Sequence, residues 1–129
     1  LTHVLRSVTD KASALLGGDT AALCLLDGAG QTLSVQSVGG LKEAVVRASV
    51  SAQAPPALHV LAADRAAFCG QVDCAGACGI LAAPFRNSHL AAPLRVGDHV
   101  IGALCVGSRR PEAFSVEAAD LLTKLAAQI

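Results

Sequence analysis

Apolar positions in the first sixteen residues recur at helical spacing. Val4, Leu5, Val8, Ala12, Leu15 and Leu16 share one face, while Arg6, Asp10 and Lys11 fall largely elsewhere, which predicts an amphipathic helix over 2–16. Gly17-Gly18 ends it. The pattern then changes. Ala21 to Leu26 is a short, continuously apolar run, as a buried strand would be. Asp27-Gly28-Ala29-Gly30 is a turn cluster, and Thr32 to Val38 alternates polar and apolar with period two. Together these predict a β-hairpin, broken off by Gly39-Gly40. From 41 to 52 the apolar residues Leu41, Ala44, Val45, Ala48 and Ala52 return to one side, and the spacing predicts a second helix.

Pro55-Pro56 opens an irregular middle. The apolar piece Leu58-His59-Val60-Leu61 reads as an edge strand, and the Gly- and Cys-rich stretch from Cys69 to Gly79 as a loop or short helix. His89 to Leu94 reads as a strand in which Pro93 restricts the ladder to an edge or a bulge. Val96-Gly97-Asp98-His99 is a hairpin turn, and Val100 to Gly107 is the strongest strand of the chain. Ser115 caps a last helix, with Glu117 in its first turn favouring the dipole. Val116, Ala119, Leu122, Leu125, Ala126 and Ile129 form its apolar stripe.

The order is helix, hairpin, helix, irregular middle, hairpin, helix. It predicts an α+β fold: an antiparallel sheet with the terminal helices on one face and the irregular middle over a pocket on the other. The 129 residues suffice for one domain with a real core. Hydrophobic residues make up 53% and charged ones 16%, which excludes disorder as the main state. The 26 alanines point to close packing of helices on a sheet. Ten bases balance ten acids and aromatic residues are 2%, so neither the charge nor the stacking surface of a nucleic-acid binder is present. No apolar run reaches the roughly 18 residues of a membrane span. The start has no signal-peptide layout, and five cysteines, an odd number, suit a reducing, cytoplasmic compartment. The missing initiator Met and a helical stripe that runs to Ile129 read as one domain of a longer protein.

The stretch from Ala92-Pro93-Leu94 through Val96-Gly97-Asp98 to Ile101-Gly102-Ala103-Leu104 resembles the C-terminal hairpin of GAF domains. Arg110-Pro111-Glu112-Ala113-Phe114-Ser115 resembles the exit of that family into its last helix, and Leu15 to Asp27 resembles its front end. The resemblance covers nearly all the chain and is weakest over about 53–83. It implies a sheet of about six antiparallel strands and a regulatory domain that senses a small molecule, non-catalytic in itself. The run Phe85 to Leu94, with a Cys-bearing loop before it, is similar to the GAF domains of nitrate-type bacterial sensor histidine kinases of two-component systems. Ser88 precedes His89 where the bilin-binding members carry Cys, and the Asn-Lys-Phe-Asp-Glu signature of cyclic-nucleotide members is absent. Free methionine sulfoxide reductase, a thiol-based enzyme of the family, is a second reading, although its Gly-Cys-Gly and Ser-Glu patterns are missing. A pure dimerisation module is a third.

Candidate chemistry gathers at two places. Cys69, Cys74 and Cys78 put three thiols within ten residues, among Gly70, Gly76 and Gly79. Thiolates suit zinc or an iron–sulfur cluster, and Cys24, Cys105 or His89 would supply a fourth ligand. The C-x4-C-x3-C spacing matches no common zinc framework closely, and the same thiols also read as redox sensors or as small core residues. At the second place Arg86 offers bidentate anion binding, with Asn87 and His89 adding hydrogen bonds beside Phe85; together these form a candidate site for a small ligand. The plainer alternative is a solvated loop. Arg109-Arg110 reads as a solvated charge pair, and no Ser, His and acid group as a hydrolase triad. The apolar stripes of the first and last helices imply a homodimer through them.

Overall fold

The computed structural model describes residues 2–53, 57–62, 66–68 and 80–127. Its elements are α1 (Thr2–Leu16), β1 (Thr20–Leu26), β2 (Thr32–Gly40), β3 (Ser49–Ser51), α2 (Ala57–Ala62), β4 (Ala67–Phe68), β5 (Ser88–Val96), β6 (His99–Ser108) and α3 (Val116–Ala126). Short 3₁₀ turns lie at Lys42–Ala44 and Ala83–Arg86. Six strands form one sheet in the order β3-β2-β1-β6-β5-β4, every neighbouring pair antiparallel. This is the expected α+β architecture.

Both hairpins form where the turn residues place them. Asp27 accepts hydrogen bonds from the amides of Gln31 and Thr32 at 2.8 and 3.3 Å, and these amides, Gln31 first, hold its carboxyl below the ordinary range. Gly97 takes the left-handed conformation in the second turn, φ 61°. Pro93 pairs with Ala103 of β6, while β4 reaches only Leu90 and Ala91 on the other side of β5. On the β4 side Pro93 is therefore an edge position among the described residues, where a missing N–H is tolerated.

Alternation sorts the strand residues onto two faces. Leu23, Leu90, Leu94, Leu104 and Val106 pack with Leu5, Ala12 and Leu16 of α1 and Ala119, Leu122 and Ala126 of α3. Both terminal helices thus cover one face, as the periodicity predicts. Ala22, Cys24, Ala91 and Ala103 turn to the other face, with Val60, Ile80, Leu81 and Phe85. Large side chains fill the helix side of the central strands, and small ones pave the opposite side. On the helix side, contact between α1 and β2 is closer than side chains allow. A Cβ on Gly39 would fall 2.5 Å from the Thr9 carbonyl oxygen. Thr9 is itself buried; its hydroxyl donates to Arg6 O at 2.9 Å and lies 2.9 Å from Ser37 Oγ.

Two predicted elements are different in the fold. Residues 41–52 are not a helix: after the turn at Lys42–Ala44 the chain runs extended into β3. Leu41 carries no capping side chain, and Val45, Val46 and Val50 are β-branched. Pairing satisfies the backbone instead, with Val46 N donating to Ile80 O, Ala82 N to Ala44 O, and Val35 N to Ala48 O, all at 2.7–2.8 Å. Conversely, Leu58 to Leu61 belongs to helix α2, not to an edge strand. Val60 of this helix is buried against the sheet. The last helix is as expected: Ser115 Oγ accepts from Ala118 N at 3.2 Å.

Candidate functional site

The face of the sheet away from α1 and α3 is covered by residues 44–46 paired with 80–82, by α2, and by the turn at Ala83–Arg86. That turn lies directly on β6. A Cβ on Gly107 would meet Phe85 O at 2.5 Å and Leu81 Cδ1 at 2.7 Å, so glycine is what admits it. His89 stands opposite Gly107 in the β5–β6 register. It alternates with Leu90, which faces the helices, so its imidazole shares the face of Ala91. His89 is 5% exposed, and among the described residues its Nε2 has no hydrogen-bond partner. A buried polar atom left unpaired costs about 1–3 kcal/mol.

Cys105 and Cys24 continue a diagonal from His89 across β6 and β1. Cys105 pairs with Ala91 and Ala22, and Cys24 with Ala103. The two cysteines therefore stand on neighbouring strands. Cys24 is fully buried, and burial pushes its thiol up to about 12. It is held as a thiol at physiological pH and is not a ready nucleophile. Cys69, Cys74 and Cys78 lie outside the described residues. Among the described residues, no three His, Cys, Asp or Glu side chains are arranged to hold a metal ion.

Of the four residues expected to bind ligand, two lie on the covered face. Phe85 is buried there, and His89 beside it; the solvated-loop alternative does not hold for His89. Arg86 ends the 3₁₀ turn, and its side chain is outside what is described. Asn87 is exposed and spends its amide elsewhere, donating to Arg109 O at 2.9 Å.

Arg109 and Arg110 are not simply solvated. Arg109 Nε meets Asp19 Oδ2 at 3.1 Å, its amide donates to the same oxygen at 2.8 Å, and its guanidinium lies 5.3 Å from the Phe85 ring centroid. The Arg109 amide is the main cause holding the Asp19 carboxyl below its ordinary range. Arg110 Nη2 donates to Gly17 O at 3.2 Å. Topology would have revealed the pair: β1 and β6 are antiparallel neighbours, so the acid before one strand meets the base after the other. A separate open groove of about 380 Å³ lies between α1 and β2, with Arg6 and Lys42 at its walls. Its lining is exposed or half-buried, and the unpaired imidazole is elsewhere.

The family model for the GAF domain matches residues 1–129. No sequence among the curated proteins matches the chain. Among solved structures, it is similar to free methionine-R-sulfoxide reductase from Neisseria meningitidis in complex with its substrate (TM-score 0.77, 20% identity, covering 97% of this chain and 72% of that one). The GAF domain of an Acinetobacter phosphoenolpyruvate-protein phosphotransferase gives TM-score 0.75 at 20% identity, covering 98% and 77%. The second GAF domain of DevS from Mycobacterium smegmatis gives 0.73 at 22%, covering 99% and 89%. Likeness at such identities concerns the fold.

Proposed function

Because the chain belongs to the GAF domain family, we propose that it is the sensory domain of a signal-transduction protein and holds a small ligand against the sheet face opposite α1 and α3. The observation that carries this reading is the buried His89 with its unpaired Nε2. A folded protein retains an orphaned polar group where function needs it. Phe85 and the small side chains Ala91, Ala103 and Cys105 would line the ligand, and His89 would give it one directional contact. Binding biases a domain between two arrangements only as far as the ligand prefers one of them.

The parent protein in this reading is a cytoplasmic two-component sensor histidine kinase, and the domain itself is not catalytic. The likeness to a DevS GAF domain supports that choice. Homodimerisation would use the terminal helices, where Leu15 and Val116 are exposed large apolar side chains. An iron–sulfur cluster or zinc on Cys69, Cys74 and Cys78 belongs to the same proposal as the alternative occupant.

The test is anaerobic purification followed by an absorption spectrum, metal analysis and mass spectrometry under native conditions. A bound small molecule or metal carried by the native protein and lost from His89→Leu is the expected result. Protein that carries neither, and gains no thermal stability from any fraction of a cytoplasmic metabolite extract, overturns the reading. The second reading, a sulfoxide reductase, is supported by the likeness to the Neisseria enzyme. Turnover of free methionine sulfoxide with a thiol reductant would establish it, and the buried, protonated Cys24 could not be its nucleophile.

A further inference from the structure

We propose that the loop over residues 109–114 is the relay by which the state of His89 reaches both terminal helices, with Ser88 as its input and Arg110 as its branch to α1. This rests on the reading of His89 as the ligand contact and concerns how that contact is regulated and reported. The two residues preceding His89 both grip this loop. Asn87 Nδ2 donates to Arg109 O at 2.9 Å. Ser88 Oγ donates to Arg110 O at 2.6 Å and accepts from Ala113 N at 2.9 Å. Alternation along β5 makes this possible: His89 turns to the covered face, and Ser88 to the helix side.

The loop has two outputs. Its far end carries Phe114, which is buried, and Ser115, which caps α3. Its near end is tied to the end of α1, through Arg110 Nη2 on Gly17 O and through Arg109 on Asp19. A Cβ on Gly18 would lie 3.3 Å from Phe114 Cζ, so the end of α1 and the start of α3 meet at this loop. The helices then leave it side by side on one face. A shift of the first residues of β5 must either break the Ser88 bonds or carry the loop with it. These bonds are short and largely shielded, so moving the loop is the cheaper outcome. Spatial continuity alone does not establish coupling, which is why the test is a cycle of variants.

The experiment is amide hydrogen exchange on the intact domain, with no ligand added. His89→Ala should raise exchange in the first turn of α3 and the last turn of α1 by roughly fivefold, the worth of about one hydrogen bond, and leave the β2–β3 pairing unchanged. In a Ser88→Ala background both effects should shrink, and with Asn87→Ala added they should vanish, while Ser88→Thr, which keeps the hydroxyl, should restore them. In an Arg110→Met background the α1 effect alone should shrink, since Arg109 on Asp19 still ties the loop to that end. If His89→Ala does not fold, His89→Leu serves with the sign reversed, slower exchange at both helix ends. Equal responses to the His89 change with and without Ser88, or a change spread evenly over all amides, overturn the relay. Since no ligand enters the measurement, a domain found to bind nothing would defeat the sensing proposal and leave this result standing. A ligand-binding domain that fails the cycle would defeat the relay alone.

Discussion

Replacing His89 by Leu should make the domain more stable. The reasoning uses two quantities. Nε2 is buried without a partner, at a cost of about 1–3 kcal/mol relative to a satisfied or absent polar group. Leu is apolar and close to His in volume, so it removes that cost without opening a cavity, and imperfect fit takes back up to about 1.5 kcal/mol. The net expectation is a gain of about 1–2 kcal/mol. With about 2.1 cal/mol/K of unfolding entropy per residue over 129 residues, each kcal/mol moves the midpoint by about 4 °C, so Tm should rise by about 4–8 °C. The chain has no Trp or Tyr, so far-UV circular dichroism is the suitable probe for thermal and urea unfolding. His89→Ala, which leaves a void, should lower Tm, and His89→Gln, which keeps a polar group in place, should not raise it. A loss of stability in His89→Leu comparable to that in His89→Ala would refute the reasoning, because the imidazole would then be a packing element and not a group waiting for a partner.

Other consequences follow from the geometry. Gly39→Ala forces a methyl onto the Thr9 carbonyl and should cost about 1–3 kcal/mol in urea unfolding, with the extra exchange confined to α1 and β2. Asp19→Asn should lower stability by at most about 1 kcal/mol at neutral pH, since the ion pair with Arg109 is partly exposed. The Asp19 carboxyl is lowered in the fold, so its contribution is present above the ordinary value of 3.8 and is lost as pH falls through the folded value below it. Native and variant unfolding curves should therefore draw together progressively as pH falls from 3.8 through that lower folded value, and a difference that does not shrink as pH falls over this range would contradict the assignment. Cys24 should resist iodoacetamide at about pH 8 in the folded protein and react on unfolding, as peptide mapping of the alkylated chain would show. Rapid labelling of Cys24 in native protein would mean that the covering layer opens readily.

Local signals were enough for the four central strands, β2, β1, β6 and β5, and for the terminal helices. Asp27 to Gly30 and Val96 to His99 announce tight turns by residue type, and Ser115 announces a cap, because these depend on neighbours a few positions away. Residues 41–52 mislead because Leu41, Ala44, Val45, Ala48 and Ala52 do fit helical spacing. What decides their fate is a distant partner, the 80–82 segment, together with the open edge of β2. The candidate site was legible only in part, for the same reason. His89 could be named as a polar residue at a strand start, but its burial depends on Gly107 and the turn laid over it. Asn87 looked like a ligand contact because side-chain chemistry was visible in the sequence and the Arg109 carbonyl beside it was not.

The unequal paving of the two sides of the sheet has a further consequence. On the helix side, truncating Leu23, Leu90, Leu94 or Leu104 would carve voids in the part that keeps the chain folded, at about 2–5 kcal/mol each. On the far side, Ala22, Ala91 and Ala103 have almost nothing to lose, and what lies over them is short helix, turn and loop. Sequence drift is thereby steered. Changes in the overlay that spare its buried Leu81 and Phe85 can reshape what the floor accommodates at little thermodynamic risk, while those two and the layer behind the floor stay fixed. Lineages of this fold would then diversify in cargo faster than in backbone, and a chain grafted with a new overlay on the same three central strands should still fold.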